Sequence, residues 1–280
     1  MNDQANQLRM LVRQRSQEQA AHAAPRLVVV FGGRRNLGTS TAAVNIAAAL
    51  SRGSLRVVLV DADPQSAGAT ALCGVRPRAS LADVFSARRT LSDALDGGPG
   101  GLQVVPGVNG LERLTDFPAA AVDSLLQGLA ELEPAPDAIV VDGGNSPTRL
   151  MQRFWRHAAA AVALVAPDSA AVLDTYAAIK TLHEGQDAPP LRSLVNFAAD
   201  AETADEVHAR LARACQRFLG LSLRQAGYVP LDAQVRAAGR GAMPVVHFAP
   251  QSPTAQQFRQ VAAWLVSITG RARASGVLVA

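Results

Sequence analysis

The stretch "VVVFGGRRNLGTSTAAVNIAAAL", Val28–Leu50, decides how the rest of this chain is read. Its apolar start lacks polar alternation, as in a strand covered on both faces. Two glycines turn the chain, and an Ala-rich segment without Gly or Pro then favours a helix. A buried strand that enters a helix through such a turn aims backbone N–H groups at one point, which suits an anion. Gly33–Ser40 spells G-R-R-N-L-G-T-S, one residue away from the phosphate-loop pattern G-x-x-x-x-G-K-[ST]. Thr39 stands where the lysine belongs. Lys180 is the only lysine in the chain. A general drift from lysine to arginine would place arginine at position 39, so Thr39 is a separate change.

The flanking sequence repeats the same rhythm. Short apolar runs at Leu27–Phe31, Arg56–Val60, Leu102–Pro106, Ala138–Val141, Ala161–Ala166, Ser193–Asn196 and Leu223–Val229 read as strands. Helical stretches fit between or after them, at Ser40–Ser51, Ala119–Leu132, Thr148–His157, Ala170–His183, Asp200–Leu219 and Pro253–Thr269. This alternation predicts an α/β fold, a doubly wound and mostly parallel sheet flanked by helices, with ligands at the carboxyl ends of the strands. "DGGPGG", Asp96–Gly101, reads as a turn cluster. With 280 residues, 49% of them hydrophobic, the chain can bury a substantial core. Its net charge of +4 gives no strong nucleic-acid signal. Cys73 and Cys215 are isolated and fit a reducing compartment rather than a disulfide or zinc framework. No apolar run approaches the roughly 18 residues that span a membrane, and no signal-peptide core precedes the first strand, so a cytoplasmic location is expected.

Carboxylates strengthen the phosphate reading. The second strand runs into "VDADPQSAG", with Asp61 and Asp63, and the fourth into "VVDGG", with Asp142. One Asp after a strand is ordinarily a cap or turn former. Three of them on the edge that holds the glycine loop make a constellation for Mg²⁺ and phosphate.

With these residues in place, the chain resembles the MinD/ParA family of P-loop ATPases from Leu27 to about Ile268. The likeness is carried by the loop, "VNIAAAL", "LVDADPQ", "VVDGG", "APDSAAVLDTYAAIK" and the closing "GYVPLD…VRAAGRGAMPV…SPTAQQF". It implies ATP or ADP with Mg²⁺ as ligands. It assigns Gly33, Arg35, Asn36, Leu37, Gly38, Thr39, Ser40 and Thr41 to phosphate binding. Ser40, Asp61 and Asp142 go to the metal, and Asp63 orients the attacking water. Asn196, Pro230 and Asp232 resemble the adenine-contacting elements, although Asn196 and Pro230 could equally just end strands. Arg34 stands where the family's signature lysine reaches across a nucleotide-sandwiched homodimer, and a positive charge is kept there. Arg35 and Asn36 replace two family glycines. Asn tolerates positive φ and Arg does so poorly, so distortion is expected at Arg35. Thr39 is short and uncharged, and hydrolysis is expected to be slow or lost.

The first 25 residues read as a separate helical arm, capped by Asn2 or Asp3, with Ala5, Leu8, Leu11 and Val12 on one stripe. "DQANQLR" resembles the D-Q-A-x-x-L-R motif of FlhG-type proteins (FleN, YlxH), which set flagellar number and position. Asp3, Gln4, Ala5, Leu8 and Arg9 all match. The resemblance implies that this arm stimulates the GTPase FlhF, and that flagellar transcription regulators or switch-complex proteins are further partners. Two alternatives stay open: a pseudo-ATPase scaffold of the cellulose-synthesis or pilus-assembly kind, and a ParA-like partitioning ATPase. The organisation read from the chain is an arm over 1–25, an ATPase domain over 26–270 and a tail over 271–280. "GRARASGVLVA" in and before that tail is a poor match for an amphipathic anchor, so peripheral attachment to the inner face of the plasma membrane is left open.

Overall fold

The structure, a computed structural model, describes residues 26–53, 55–108, 119–184 and 187–269. The arm and the tail lie outside the described residues. The strands are β1 (Arg26–Gly32), β2 (Val57–Asp61), β3 (Asp96–Gly97), β4 (Gln103–Val105), β5 (Ala138–Asp142), β6 (Ala160–Val165), β7 (Leu191–Asn196) and β8 (Leu223–Val229). They form one sheet in the order β3-β4-β2-β5-β1-β6-β7-β8, and every pair but β3–β4 is parallel. The apolar runs of β1, β2, β5 and β6 are buried end to end, as strands covered on both faces must be, whereas the edge strand β8 is half-buried over most of its length. β1 lies in the middle with β5 and β6 on either side; the chain builds β2 to β5 on one side of it and then crosses over to build β6 to β8 on the other. A crevice opens at such a switch point, above the strands' carboxyl ends.

The long helices are α1 (Thr39–Arg52), α5 (Ala119–Ala130), α6 (Arg149–His157), α7 (Ser169–His183), α8 (Ala201–Leu219) and α11 (Pro253–Thr269), and the helices numbered between them are short. Each long helix starts or ends within two residues of its expected bounds. α1 packs on α11, while α6, α7 and α8 form a chain of neighbours. α6 shows why the sequence folds this way: Leu150, Met151, Phe154 and Trp155 share one buried stripe, and the Thr148 hydroxyl caps the start by accepting from Met151 N. Trp155 then meets Phe31 of β1 edge-on, with ring centroids 5.8 Å apart.

Two expectations need correction. "DGGPGG" is more than a turn cluster, because Asp96–Gly97 pairs antiparallel with β4 before a 3₁₀ turn at Pro99–Gly101. Short helices also occur where none was expected: α2 (Gly68–Leu72), α3 (Leu81–Phe85), α4 (Leu91–Ala94), α9 (Ala233–Arg240) and α10 (Val245–Phe248). Ser80 and Thr90 head α3 and α4 with reciprocal capping boxes to Asp83 and Asp93.

Candidate functional site

The loop between β1 and α1 is held by close approach. A Cβ on Gly33 would sit 2.2 Å from the backbone of Asp174 in α7, so only glycine fits there. The left-handed positions are Asn36 (φ 65°) and Gly38 (φ 80°). Arg35 is not among them, so the distortion expected at Arg35 does not arise. Asn is the non-glycine residue best suited to that conformation. Leu37 is buried, and its carbonyl accepts from Asn196 Nδ2 at 2.7 Å. The first α1 hydrogen bond runs from Ala42 N to Gly38 O, so the amides of Thr39, Ser40 and Thr41 precede the helical ladder. No side chain caps them and no acidic residue lies in the first turn. That end of the helix is set for an anion.

Beside it the strands deliver the carboxylates. Asp61 and Asp142 are register partners on β2 and β5, and both are fully buried. Asp61 Oδ2 accepts from Thr70 N (2.8 Å) and Oγ1 (2.6 Å), while its Oδ1 has no partner among the described residues. Asp142 Oδ1 accepts from Gly144 N at 3.1 Å, and its Oδ2 has no partner among the described residues. Burial pushes both carboxyls above the usual carboxylate range, Asp142 the further; the Asp61 charge adds to the shift at Asp142, and the Asp63 charge adds to the shift at Asp61. The Ser40 hydroxyl and the Gly144 amide pull Asp142 back only partly. Gly68 packs directly on that hydroxyl, since a Cβ there would lie 2.8 Å from Ser40 Oγ. Among the described residues no group of three or more His, Cys, Asp or Glu side chains closes on one point. A cation here would therefore rest on phosphate, water, Ser40 and the two half-partnered carboxylates, the oxygen-rich and partly hydrated shell that suits Mg²⁺.

The remaining expected residues are placed as follows. Asp63 lies next to Gly144, but its oxygens already accept from Gln65 N (2.9 Å) and Ser66 Oγ (2.8 Å). Arg34 pairs with Asp168 of its own chain at 2.8 Å, and Asp168 also caps α7 through Ala171 N. Arg35 and Asn36 are exposed and line an open cleft of about 650 Å³ with Arg34 and Phe197. Gly38, Thr41, Asn196, Pro230 and Asp232 line a separate, mostly apolar cavity of about 260 Å³. Asn196 is less available to a ligand than expected, because its Oδ1 also accepts from Phe197 N (3.1 Å). Asp232 caps α9 through Gln234 N, leaving its other oxygen buried without a partner among the described residues. Thr39 is 2% exposed, and its hydroxyl donates to Asn145 Oδ1 at 2.8 Å.

Three contributors were missed by sequence reasoning. Asn145 sits three residues past Asp142, in the same loop. Asp168 was readable only as a helix cap. Phe197 adopts φ 64°, an uncommon conformation for a bulky residue, and forms part of both cavities.

The model of the CobQ/CobB/MinD/ParA nucleotide binding domain matches residues 28–245. The chain is 30% identical to the antiactivator FleN of Pseudomonas aeruginosa over 236 residues, 84% of each protein. It is 25% identical to the flagellum site-determining protein YlxH of Helicobacter pylori, over 86% of this chain and 82% of that one. Among solved structures, the septum site-determining protein MinD of Pyrococcus horikoshii, complexed with Mg-ADP, superposes with a TM-score of 0.72 at 19% identity, covering 88% of this chain and 98% of its own. Among the described residues no helix is long and apolar enough to cross a membrane.

Proposed function

This chain belongs to the CobQ/CobB/MinD/ParA nucleotide-binding family, and from that premise we propose that it is an ATP- and ADP-binding regulator of flagellar number or placement. The nucleotide half of the reading is carried by one observation. An uncapped helix start stands beside two buried carboxylates, each with an oxygen lacking a partner, next to a cavity of about 260 Å³. The amides of Thr39–Thr41 bind phosphate, Ser40, Asp61 and Asp142 hold Mg²⁺, and the cavity takes the base. A bound Mg²⁺ offsets charge on phosphate and carboxylate alike. Asn196 holds the loop by its Leu37 bond and shapes the base cavity rather than reading the base alone.

Hydrolysis is slow or lost in this reading. Without a lysine, the site lacks a charged donor at the outer phosphates, and one missing preorganised donor costs on the order of 10²–10³ in rate. The burial of Thr39 favours a second reading, a pseudo-ATPase that signals by occupancy alone. Calorimetric titration with ATP and ADP, with and without Mg²⁺, followed by a phosphate-release assay, tests both. Binding with slow turnover supports a switch, binding with no turnover supports the pseudo-ATPase, and no binding rejects the site.

The flagellar half rests on the FleN and YlxH relatives together with "DQANQLR". The arm is proposed to engage an FlhF-type GTPase, and the nucleotide to control a homodimer. Flagellar transcription regulators and switch-complex proteins are the further partners of this reading.

A further inference from the structure

The buried Thr39 raises the question of what meets the outer phosphate in place of a lysine. Its hydroxyl donates to Asn145 Oδ1, which turns the carboxamide so that Nδ2 is the free end. Among the described residues Nδ2 finds no acceptor, and the side chain is half-buried at the crevice edge. A Cβ on Gly32 would lie 2.8 Å from Thr39 Oγ1 and 3.1 Å from Asn145 Oδ1, so the pair stands directly over the last residue of β1. The loop that carries Asn145 is fixed on both sides. Gly32 N donates to Gly144 O and Gly143 N to Val30 O, both at 2.9 Å, and Gln65 Nε2 donates to Ser146 Oγ at 3.2 Å. Three residues earlier, Asp142 keeps a fully buried oxygen without a partner among the described residues, so the Asn145 amide lies on the same edge as the carboxylate given to Mg²⁺ above.

We propose that Asn145 is a phosphate-binding residue whose Nδ2 donates to the terminal phosphate of a bound nucleoside triphosphate, with Thr39 as the positioning residue that orients it. This rests on the nucleotide reading above. The helix amides at Thr39–Thr41 serve the phosphates over the glycine loop. Asn145 arrives from the loop after β5, the strand beside β1, three residues past Asp142, and in this proposal the outermost phosphate lies on that side. The substitute supplies a hydrogen bond without a charge, so it retains geometry and gives up the stronger, charge-assisted contact.

The test is calorimetric titration of full-length protein with Mg-ATP and Mg-ADP. Asn145→Ala should weaken ATP by roughly 2- to 13-fold, the usual reach of a neutral hydrogen bond, and leave ADP nearly unchanged. Asn145→Asp, of the same shape but negative, should weaken ATP further, and it carries the test if the Ala variant does not fold. Thr39→Val should lose part of the same effect and add nothing to Asn145→Ala, while Thr39→Ser should bind as wild type. Wild-type ATP affinity in both Asn145 variants would overturn the proposal and make the pair a strut. Equal losses for ATP and ADP would overturn the terminal-phosphate assignment. A wild-type protein that binds neither nucleotide would instead sink the underlying reading.

Discussion

A buried carboxylate with one oxygen unpartnered costs stability in the empty protein, because desolvation and the like charge of Asp61 both oppose its ionised form. Asp142→Asn keeps the shape and removes the charge. It should raise the melting temperature of nucleotide-free protein by a few degrees, on the scale of about 2–4 °C per kcal/mol for a chain of this size. The same change should erase any gain in ATP affinity from Mg²⁺, as read by titration with and without the metal. A lower melting temperature would mean that Gly144 and Ser40 stabilise the carboxylate more than burial opposes it. Thr39→Lys makes the opposite trade. The lysine must abandon the Asn145 bond and leave over the crevice, yet a charged donor at phosphate is worth about 1.5–3 kcal/mol. ATP binding should therefore tighten by roughly 10- to 100-fold on that scale, and phosphate release should speed up. Because Asn36, not Arg35, holds the left-handed position, restoring two glycines should not be required. No gain in either assay would show that the buried slot resists reopening.

At the scale of elements, α10 sets a pH dependence. His247 packs on the turn at Gly100, where a Cβ would lie 2.4 Å from Nε2, and among the described residues that nitrogen has no partner. Burial first, and then the Arg52 charge, hold the imidazole below its usual 6.5. The folded protein keeps His247 neutral while the unfolded chain takes up a proton near that value. Its contribution is therefore complete above about pH 7 and falls as the pH drops through 6.5. Denaturant midpoints of wild type should fall more between pH 7.5 and 5.5 than those of His247→Gln, and parallel curves would dismiss the contact. This helix also shows where sequence reading stopped. Runs such as Val28–Phe31 and Val57–Val60 announce strands because β-branched residues without polar alternation suit little else. Gly239, Gly241 and Pro244 punctuate the segment around α9 and α10 and hide it, and α2 to α4 are too short for a helical period to register. The acids Asp61, Asp63 and Asp142 were readable because Asp61 and Asp142 end strands and Asp63 follows Asp61 by two residues. Their neighbours were not: Thr39–Asn145 and Arg34–Asp168 join residues 106 and 134 positions apart, and only the sheet order brings them together.

For the whole molecule, the question is how occupancy of the site reaches a partner. Arg34 is tied to Asp168 within one chain, so a homodimer in which it meets the other subunit's phosphate must break that pair. Both side chains are about 40% exposed, and such a pair is worth only about 0–1 kcal/mol. Asp168→Asn retains a helix cap and removes the charge. With ATP it should raise the dimer fraction, measured by light scattering, by no more than about fivefold on that scale. An unchanged fraction would mean that the pair is no latch. The arm makes the larger claim. Its stripe of Ala5, Leu8, Leu11 and Val12 belongs to a segment outside the described residues. Isolated helices below roughly 12–15 residues are marginal in water, so the arm's order should come from docking its apolar side. Burying Leu8 in the GTPase, with Arg9 against a carboxylate or phosphate, would supply that. A peptide of Met1 to Ala20 should then stimulate GTP hydrolysis by the cognate FlhF without the ATPase domain, and Leu8→Ala should cost about 1–3 kcal/mol of binding. Full-length protein lacking residues 1–20 should lose the stimulation while keeping its nucleotide affinity. Stimulation that survives the deletion would return the arm to packing on its own domain, and would leave the nucleotide site without this route to the flagellum.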